Sequence, residues 1–166
     1  MPKQLLKPDF YYNSIFEVPY ELLYEQGVRA IIYDIDNTLV SHDDIYPPSN
    51  ITGLVERLRT MGYKIGLLSN NSSRRMAAFN ESMKLPSASM AVKPFTPALR
   101  RLMSEMNVDS RETAIIGDQL FADIWCGKRV GITTILVKPI THNEVITARI
   151  KRGLERRVLR RYYANT

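Results

Sequence analysis

Val28-Arg29-Ala30-Ile31-Ile32-Tyr33-Asp34-Ile35-Asp36-Asn37-Thr38 is the stretch around which the chain can be read. Ile31, Ile32 and Tyr33 are β-branched or aromatic and predict a short buried strand. Two aspartates follow at once. Successive strand residues point to opposite faces, so Asp34 and Asp36 can share one side where the strand ends. Two carboxylates that close repel each other unless a cation or a proton sits between them. The structural alternative is an Asx-rich turn leaving a strand. A calcium loop of the EF-hand kind fits poorly, because Leu39 and Ile45 stand where its glycine and closing glutamate belong.

On the amino-terminal side, Pro2, Pro8 and Pro19 punctuate an irregular segment. Its Tyr11, Tyr12, Ile15 and Phe16 can pack on the body, and a short helix from about Tyr20 to Gln26 ends at Gly27. Residues 1–27 therefore form an apron. Downstream, Ser49 can cap a helix of about Ile51 to Met61, with Ile51, Leu54, Val55 and Leu58 on one face. Strands are predicted at Tyr63–Leu68, Ser89–Val92, Thr113–Ile116 and Thr133–Val137. Helices are predicted at about Ser73–Met83, Thr96–Met106 and Phe121–Arg129, and a last basic helix at about 143–163. Strands alternate with helices, which implies an α/β fold with a central parallel sheet and helices on both faces. The 166 residues show no internal repeat or boundary and read as a single domain.

Composition narrows the function. One cysteine, Cys126, excludes an internal disulfide framework and fits a reducing compartment, and with only His42 and His142 a structural zinc site is disfavoured. No apolar run approaches a membrane span and no secretory leader opens the chain, so a cytoplasmic protein is expected. The net charge of +6 belongs to the tail: from Lys138 onward eight Lys/Arg face two acids, whereas residues 1–137 balance.

Open α/β sheets bind ligands beyond the carboxyl ends of their strands. Asp34 and Asp36 follow the first predicted strand, Ser69 and Asn70 the second, Lys93 the third and Asp118 the fourth. Asp34, Asp36 and Asp118 supply hard oxygen ligands suited to magnesium. Ser69, Asn70 and Lys93 supply donors for phosphate oxygens. Each has a plainer explanation: Ser69-Asn70 as a helix start, Lys93 as a solvated lysine, Asp118 and Asp123 as helix-start charges. Their fall at corresponding ends of successive elements argues for one shared site.

Asp34-Ile35-Asp36-Asn37-Thr38-Leu39 resembles the first motif of haloacid-dehalogenase-type (HAD) phosphatases. Ser69-Asn70 resembles the second, Lys93-Pro94 the third and Gly117-Asp118-Gln119-Leu120-Phe121-Ala122-Asp123 the fourth. The GDQ form points to subfamily IIIA. Leu6-Lys7-Pro8-Asp9 with Ser14-Ile15 resembles its YqeG branch, which is similar to mitochondrial phosphatidylglycerophosphate phosphatases. The resemblance implies a three-layer Rossmannoid fold and a phosphomonoester hydrolase. It implies Asp34 as the nucleophile that becomes an aspartyl-phosphate, and Asp36 as the acid and later base. It further implies magnesium on Asp34, the Asp36 carbonyl and Asp118, with Ser69, Asn70 and Lys93 around the phosphate. Thr38 would support the nucleophile loop, and Asp123 would orient Lys93.

Leu39–Leu68 and Asn71–Val92 hold 30 and 22 residues, already used by predicted elements, so no cap domain is expected. An open site admits large substrates, which favours a phosphate on a lipid head group, phosphatidylglycerophosphate first. In the last helix Ile146, Ile150, Leu154 and Val158 recur every four residues, with Arg149, Arg152, Arg156 and Arg160 opposite. Such a helix can lie peripherally on an anionic membrane or pack on the domain. The rival functions are an RNA- or ribosome-associated protein using the basic tail, although no RNA-binding motif is present, and a protein phosphatase. A receiver domain is disfavoured because its aspartate follows a third strand.

Overall fold

Ala30–Tyr33 forms β2, the strand the sequence places first beside the aspartates. All four residues are buried, and alternation divides them. Ile31 and Tyr33 face one core, and Ala30 and Ile32 face the other. The structure is a computed structural model that describes residues 4–140 and 146–163. At 4, 146–152 and 162–163 only the backbone is described.

β5 (Thr113–Gly117) and β3 (Lys64–Leu68) flank β2, so that Ile32 lies between Ile115 and Gly66. β4 (Ser87–Ala88) follows β3; on the other side come β6 (Thr133–Val137) and β1 (Phe10–Tyr12). The order β1-β6-β5-β2-β3-β4 is parallel throughout. α1 (Tyr20–Glu25), α2 (Ser49–Thr60) and α3 (Ser73–Asn80) cover the Ile31/Tyr33 face. α4 (Pro97–Glu105) and α5 (Trp125–Val130) cover the other. Pairing every strand in parallel with covered faces explains why the strands read as continuous apolar runs.

The apron is anchored through hydroxyls. Tyr33 donates to Tyr20 at 2.6 Å, Tyr20 donates to the Ile15 carbonyl at 2.8 Å, and Tyr63 donates to the Tyr20 carbonyl at 2.6 Å. Each bond satisfies a buried phenol that would otherwise cost about 1–3 kcal/mol. Ile15 is buried as expected, whereas Phe16 points outward.

The structure corrects several expectations. Phe10–Tyr12 is not irregular: it is an edge strand fixed by Asp9, whose carboxylate accepts from the Thr134 amide and hydroxyl and pairs with Lys128. Ser49 opens α2 rather than capping it, since Pro48 holds the cap position. The short strand after α3 is Ser87–Ala88, not Ser89–Val92. The amides of Met90 and Ala91 turn back to the carbonyls of Asn71 and Ser69, and Met90 and Val92 take φ of +49° and +52°. Leu120–Ile124 is a π-helical turn that leads into α5. The last helix, α6, spans Ile146–Tyr163; its expected start at 143–145 lies outside the described residues. Val158 and Leu159 of α6, like Leu6, pack on Leu120, Ile124 and Leu136, but Leu154 is exposed. The docked face runs through buried Glu155 and half-buried Val158 and Leu159, so of the expected stripe Val158 docks and Leu154 does not, and Arg156, Arg157, Arg160 and Arg161 face outward. The side chains of Ile146 and Ile150 lie outside the described residues.

Candidate active site

The first loop is built by the backbone. Asp34 continues β2, its amide bonding the Ile116 carbonyl. The amides of Thr38, Leu39 and Val40 converge on the Ile35 carbonyl, and Asn37 takes a left-handed φ of 62°, which Asn tolerates better than most residues. This curl returns Thr38 beneath Asp34. Its hydroxyl lies 3.1 Å from Asp34 Oδ2 and 3.2 Å from Asp118 Oδ1.

Nine described polar or charged side chains are buried, and six of them meet here: Asp34, Thr38, Ser69, Lys93, Asp118 and Asp123. Lys93 Nζ donates to Asp34 Oδ1 and Asp123 Oδ1, each at 2.6 Å, and to the Leu68 carbonyl at 3.1 Å. The other oxygen of Asp123 accepts from the Gln119 amide. Asp123 is thus committed to Lys93 and to its own turn. Asn70 grips the Lys93 segment from outside, its side-chain oxygen accepting from the Lys93 amide at 2.8 Å. Ser69 Oγ accepts from the Asn71 amide.

Oxygens of Asp34, Asp118 and Asp123 lie within 4.8 Å of one another, and Lys93 is the cation among them. Burial pushes the Asp34 carboxyl well up; Lys93 opposes this, while Asp123 and Asp118 reinforce it. Burial pulls Lys93 down, but Asp123 and Asp34 outweigh it and keep the ammonium protonated. A buried cluster of carboxylate oxygens is the donor set that a hard divalent cation satisfies.

Asp36 faces the other way. Its Oδ1 accepts from Arg75 Nε at 2.9 Å and Nη2 at 2.5 Å, with His42 Nδ1 3.3 Å away, and its Oδ2 accepts from Asn71. Arg75 also donates to the Asp44 carbonyl, tying the loop after the first motif to the site. Sequence reading missed Arg75, Asn71 and His42. One signal was present: Arg74 and Arg75 stand in the first turn of α3, where the helix dipole disfavours cations, so another partner is needed.

All the residues singled out from the sequence thus gather at the carboxyl edge of the sheet. Asp34, Asp118, Asp123, Lys93 and Thr38 form one bonded cluster, Ser69 and Asn70 hold its neighbouring loops, and Asp36 stands at the rim. A slot of about 310 Å³ runs from Asp118 along Leu136 and Leu159, with Lys138 and Arg156 on its wall. A hollow of about 660 Å³ at the opposite edge, between Arg100 and Glu112, holds none of these groups.

Comparison with known proteins agrees with this geometry. A HAD-hydrolase-like family model matches residues 90–149. The chain is 35% identical to a probable phosphatase, YqeG, of Bacillus subtilis, over 96% of this chain and 92% of that one. It is 24% identical to phosphatidylglycerophosphate phosphatase 1 of Arabidopsis thaliana, over 96% of this chain but only 49% of the relative, so it spans about half of that protein. Among solved structures, a putative HAD subfamily III A hydrolase from Legionella pneumophila superposes with a TM-score of 0.56 at 17% identity, covering 73% of this chain and 71% of that one.

Proposed function

Because the chain belongs to the YqeG-type phosphatases of the HAD superfamily, we propose that it hydrolyses a phosphomonoester through an aspartyl-phosphate on Asp34. The observation that carries this is the Asp34 carboxylate, buried at an uncapped sheet edge. Lys93 and Thr38 hold it in place, with Asp118 beyond Thr38. One Asp34 oxygen forms a bond to phosphorus as the ester oxygen leaves with the bonding pair. Asp36 supplies the proton to that oxygen and later takes one from the water that cleaves the acyl-phosphate. In the resting site Arg75 and Asn71 occupy the Asp36 carboxylate, so this step needs that cluster to open toward the substrate.

Asp34, Asp118 and the Asp36 backbone carbonyl would hold magnesium, which supplies positive charge against the transferring phosphoryl group. The fit rests on the three buried carboxylates, whose oxygens lie within 4.8 Å of one another. Asp123 keeps the Lys93 ammonium aimed at Asp34, and Lys93 with Ser69 and the Asn70 backbone surrounds the phosphate.

For the substrate we favour phosphatidylglycerophosphate. The Arabidopsis relative carries that activity in its name. Residues 39–92 contain no inserted lid, so a head group presented at a surface can reach Asp34. No described helix is long and apolar enough to cross a membrane. Contact would be peripheral, through the outward arginines of α6 on anionic lipid, each contributing about 1 kcal/mol near the surface.

The test is phosphate release from lipid, sugar and protein phosphomonoesters with and without magnesium, using the wild type and Asp34→Asn. Activity is expected only with the wild type and magnesium, with the lipid ester preferred. A folded Asp34→Asn protein with full activity would falsify the mechanism, and preference for a sugar phosphate would remove the lipid assignment.

A further inference from the structure

Ten large hydrophobic side chains among the described residues are exposed, and their distribution is uneven. Six stand on three loops that border the site: Ile45 and Tyr46 after β2, Met90, Val92 and Phe95 after β4, and Ile140 after β6. Scattered apolar residues on a surface need no explanation, but six of them on the loops that border one site do. The loops are held beside Asp34 and Asp36 by bonds already on the site. Asp44, next to Ile45, is tied to Arg75; Ile140 donates its amide to the Asn37 carbonyl at 3.0 Å; and Lys93 lies between Val92 and Phe95.

The middle loop shows that the outward pose is imposed. Met90 and Val92 are 66% and 61% exposed, while Ala91 and Lys93 between and beyond them are buried. This alternation is achieved with φ of +49° at Met90 and +52° at Val92. A β-branched residue at positive φ is an outlier, and such strain persists where surrounding structure fixes it, commonly at functional sites. Here the fixing bonds come from Asn71, Ser69 and Asn70, all residues of the site's own edge.

We propose that this rim is a docking face that seats the open site on an anionic lipid surface, the three loops entering the interfacial layer. The proposal rests on the lipid-phosphate reading above. Charge complementarity selects the partner. Arg129 lies at one margin, its guanidinium 6.0 Å from the ring centres of Phe95 and Trp125. Lys138 and Arg156 lie at another, on the wall of the slot beside Asp118. An apolar centre that includes Tyr46 and Phe95, edged by exposed cations, matches the acyl and headgroup levels of such a surface. In this pose the phosphate of a lipid monoester faces Asp34 without leaving the bilayer.

The experiment uses the full chain with vesicles of phosphatidylcholine alone or mixed with phosphatidylglycerol. Binding is read by flotation at low and high salt, and oligomeric state by light scattering. The rim variant carries Met90→Ser, Val92→Asn and Ile140→Ser; Asn keeps the left-handed backbone accessible. A second variant, Ile45→Ser with Tyr46→Ser, keeps the test alive if the first fails to fold. The wild type is expected to float with anionic vesicles, and each folded variant to bind at least about tenfold more weakly. Turnover of a small soluble phosphoester should stay within about twofold. Equal binding by wild type and folded variants, or no wild-type binding to anionic vesicles, overturns the proposal. A wild type that self-associates and is made monomeric by the rim changes also overturns it, in favour of contact between copies. Rim-dependent binding without hydrolysis of the lipid phosphate leaves the docking face standing and removes the lipid substrate. Lipid hydrolysis that survives loss of the rim does the reverse.

Discussion

Gly117→Ala is the substitution that most sharply separates the site from the fold around it. A methyl group built on Gly117 would lie 2.3 Å from both Cγ and Oδ2 of Asp123 and 2.5 Å from its Cβ. Ordinary contacts between carbon atoms are about 3.5–4.0 Å, so Asp123 must retreat by more than about 1 Å. It cannot retreat alone, since one oxygen is 2.6 Å from Lys93 and the other 3.0 Å from the Gln119 amide. The displacement passes to Lys93 and from there to Asp34. A misplacement of about 1 Å can cost about 100-fold in rate, equivalent to about 2.7 kcal/mol of transition-state stabilisation. Overpacking adds about 1–3 kcal/mol of lost stability. Gly127→Ala is the control: its methyl would press on Ile115 and Thr134 at 2.6 and 2.7 Å, away from the carboxylates. Kinetics on a soluble phosphoester at saturating magnesium, with thermal melts, should show both variants destabilised but only Gly117→Ala slowed in kcat. Wild-type kcat in Gly117→Ala, or equal slowing in both, refutes the chain of displacement.

Asp118→Ala should raise the magnesium concentration needed for half-maximal activity far more than Asp123→Ala, which should instead lower kcat and stability by leaving Lys93 with a single carboxylate; equal shifts in a magnesium titration would contradict this division. Arg75→Ala should reduce kcat about tenfold or more, and Arg75→Lys should not restore it, because one ammonium cannot supply the converging Nε and Nη2 donors; full activity in the lysine variant speaks against the role. For Asp9, burial raises the carboxyl but Lys128 and Thr134 outweigh it and hold it below its ordinary range. A depressed carboxylate stabilises above the unfolded value of about 3.9 and loses that contribution as pH falls through the folded one. The stability gap between wild type and Asp9→Asn in denaturant titrations should therefore narrow from pH 7 to pH 2.5, and a constant gap counts against the ion pair.

What was legible in the sequence follows physical range. The buried strand, its two aspartates and the later Ser69, Lys93 and Asp118 are local patterns, each written in a few adjacent residues. The strand Phe10–Tyr12 was not legible, because three residues give no periodicity and their partner β6 lies far along the chain. Met90-Ala91-Val92 alternates like a strand, and only the bonds back to Ser69 and Asn71 make it a strained loop instead. Arg75 escaped notice because two arginines in a helix's first turn do not say which partner they need; that partner lies 39 residues upstream at Asp36. In α6 the four-residue spacing was real, but rotation about the helix axis is set by Glu155, Val158 and Leu159 meeting the body, which spacing alone does not fix.

The edge strand β1 also bears on how the chain is made. It leaves the ribosome before the other five strands and must wait for β6, since the Asp9 amide meets Thr134 across 125 positions. β2, β3 and β4 can pair as each emerges, and β5 can then join β2. A closure of this length costs little more free energy than a shorter one, because the penalty grows only logarithmically, but it is slow. Until it happens, β6 offers an unpaired edge to any neighbouring chain. These three residues therefore set the end of the interval in which a newly synthesised molecule is open to misassembly.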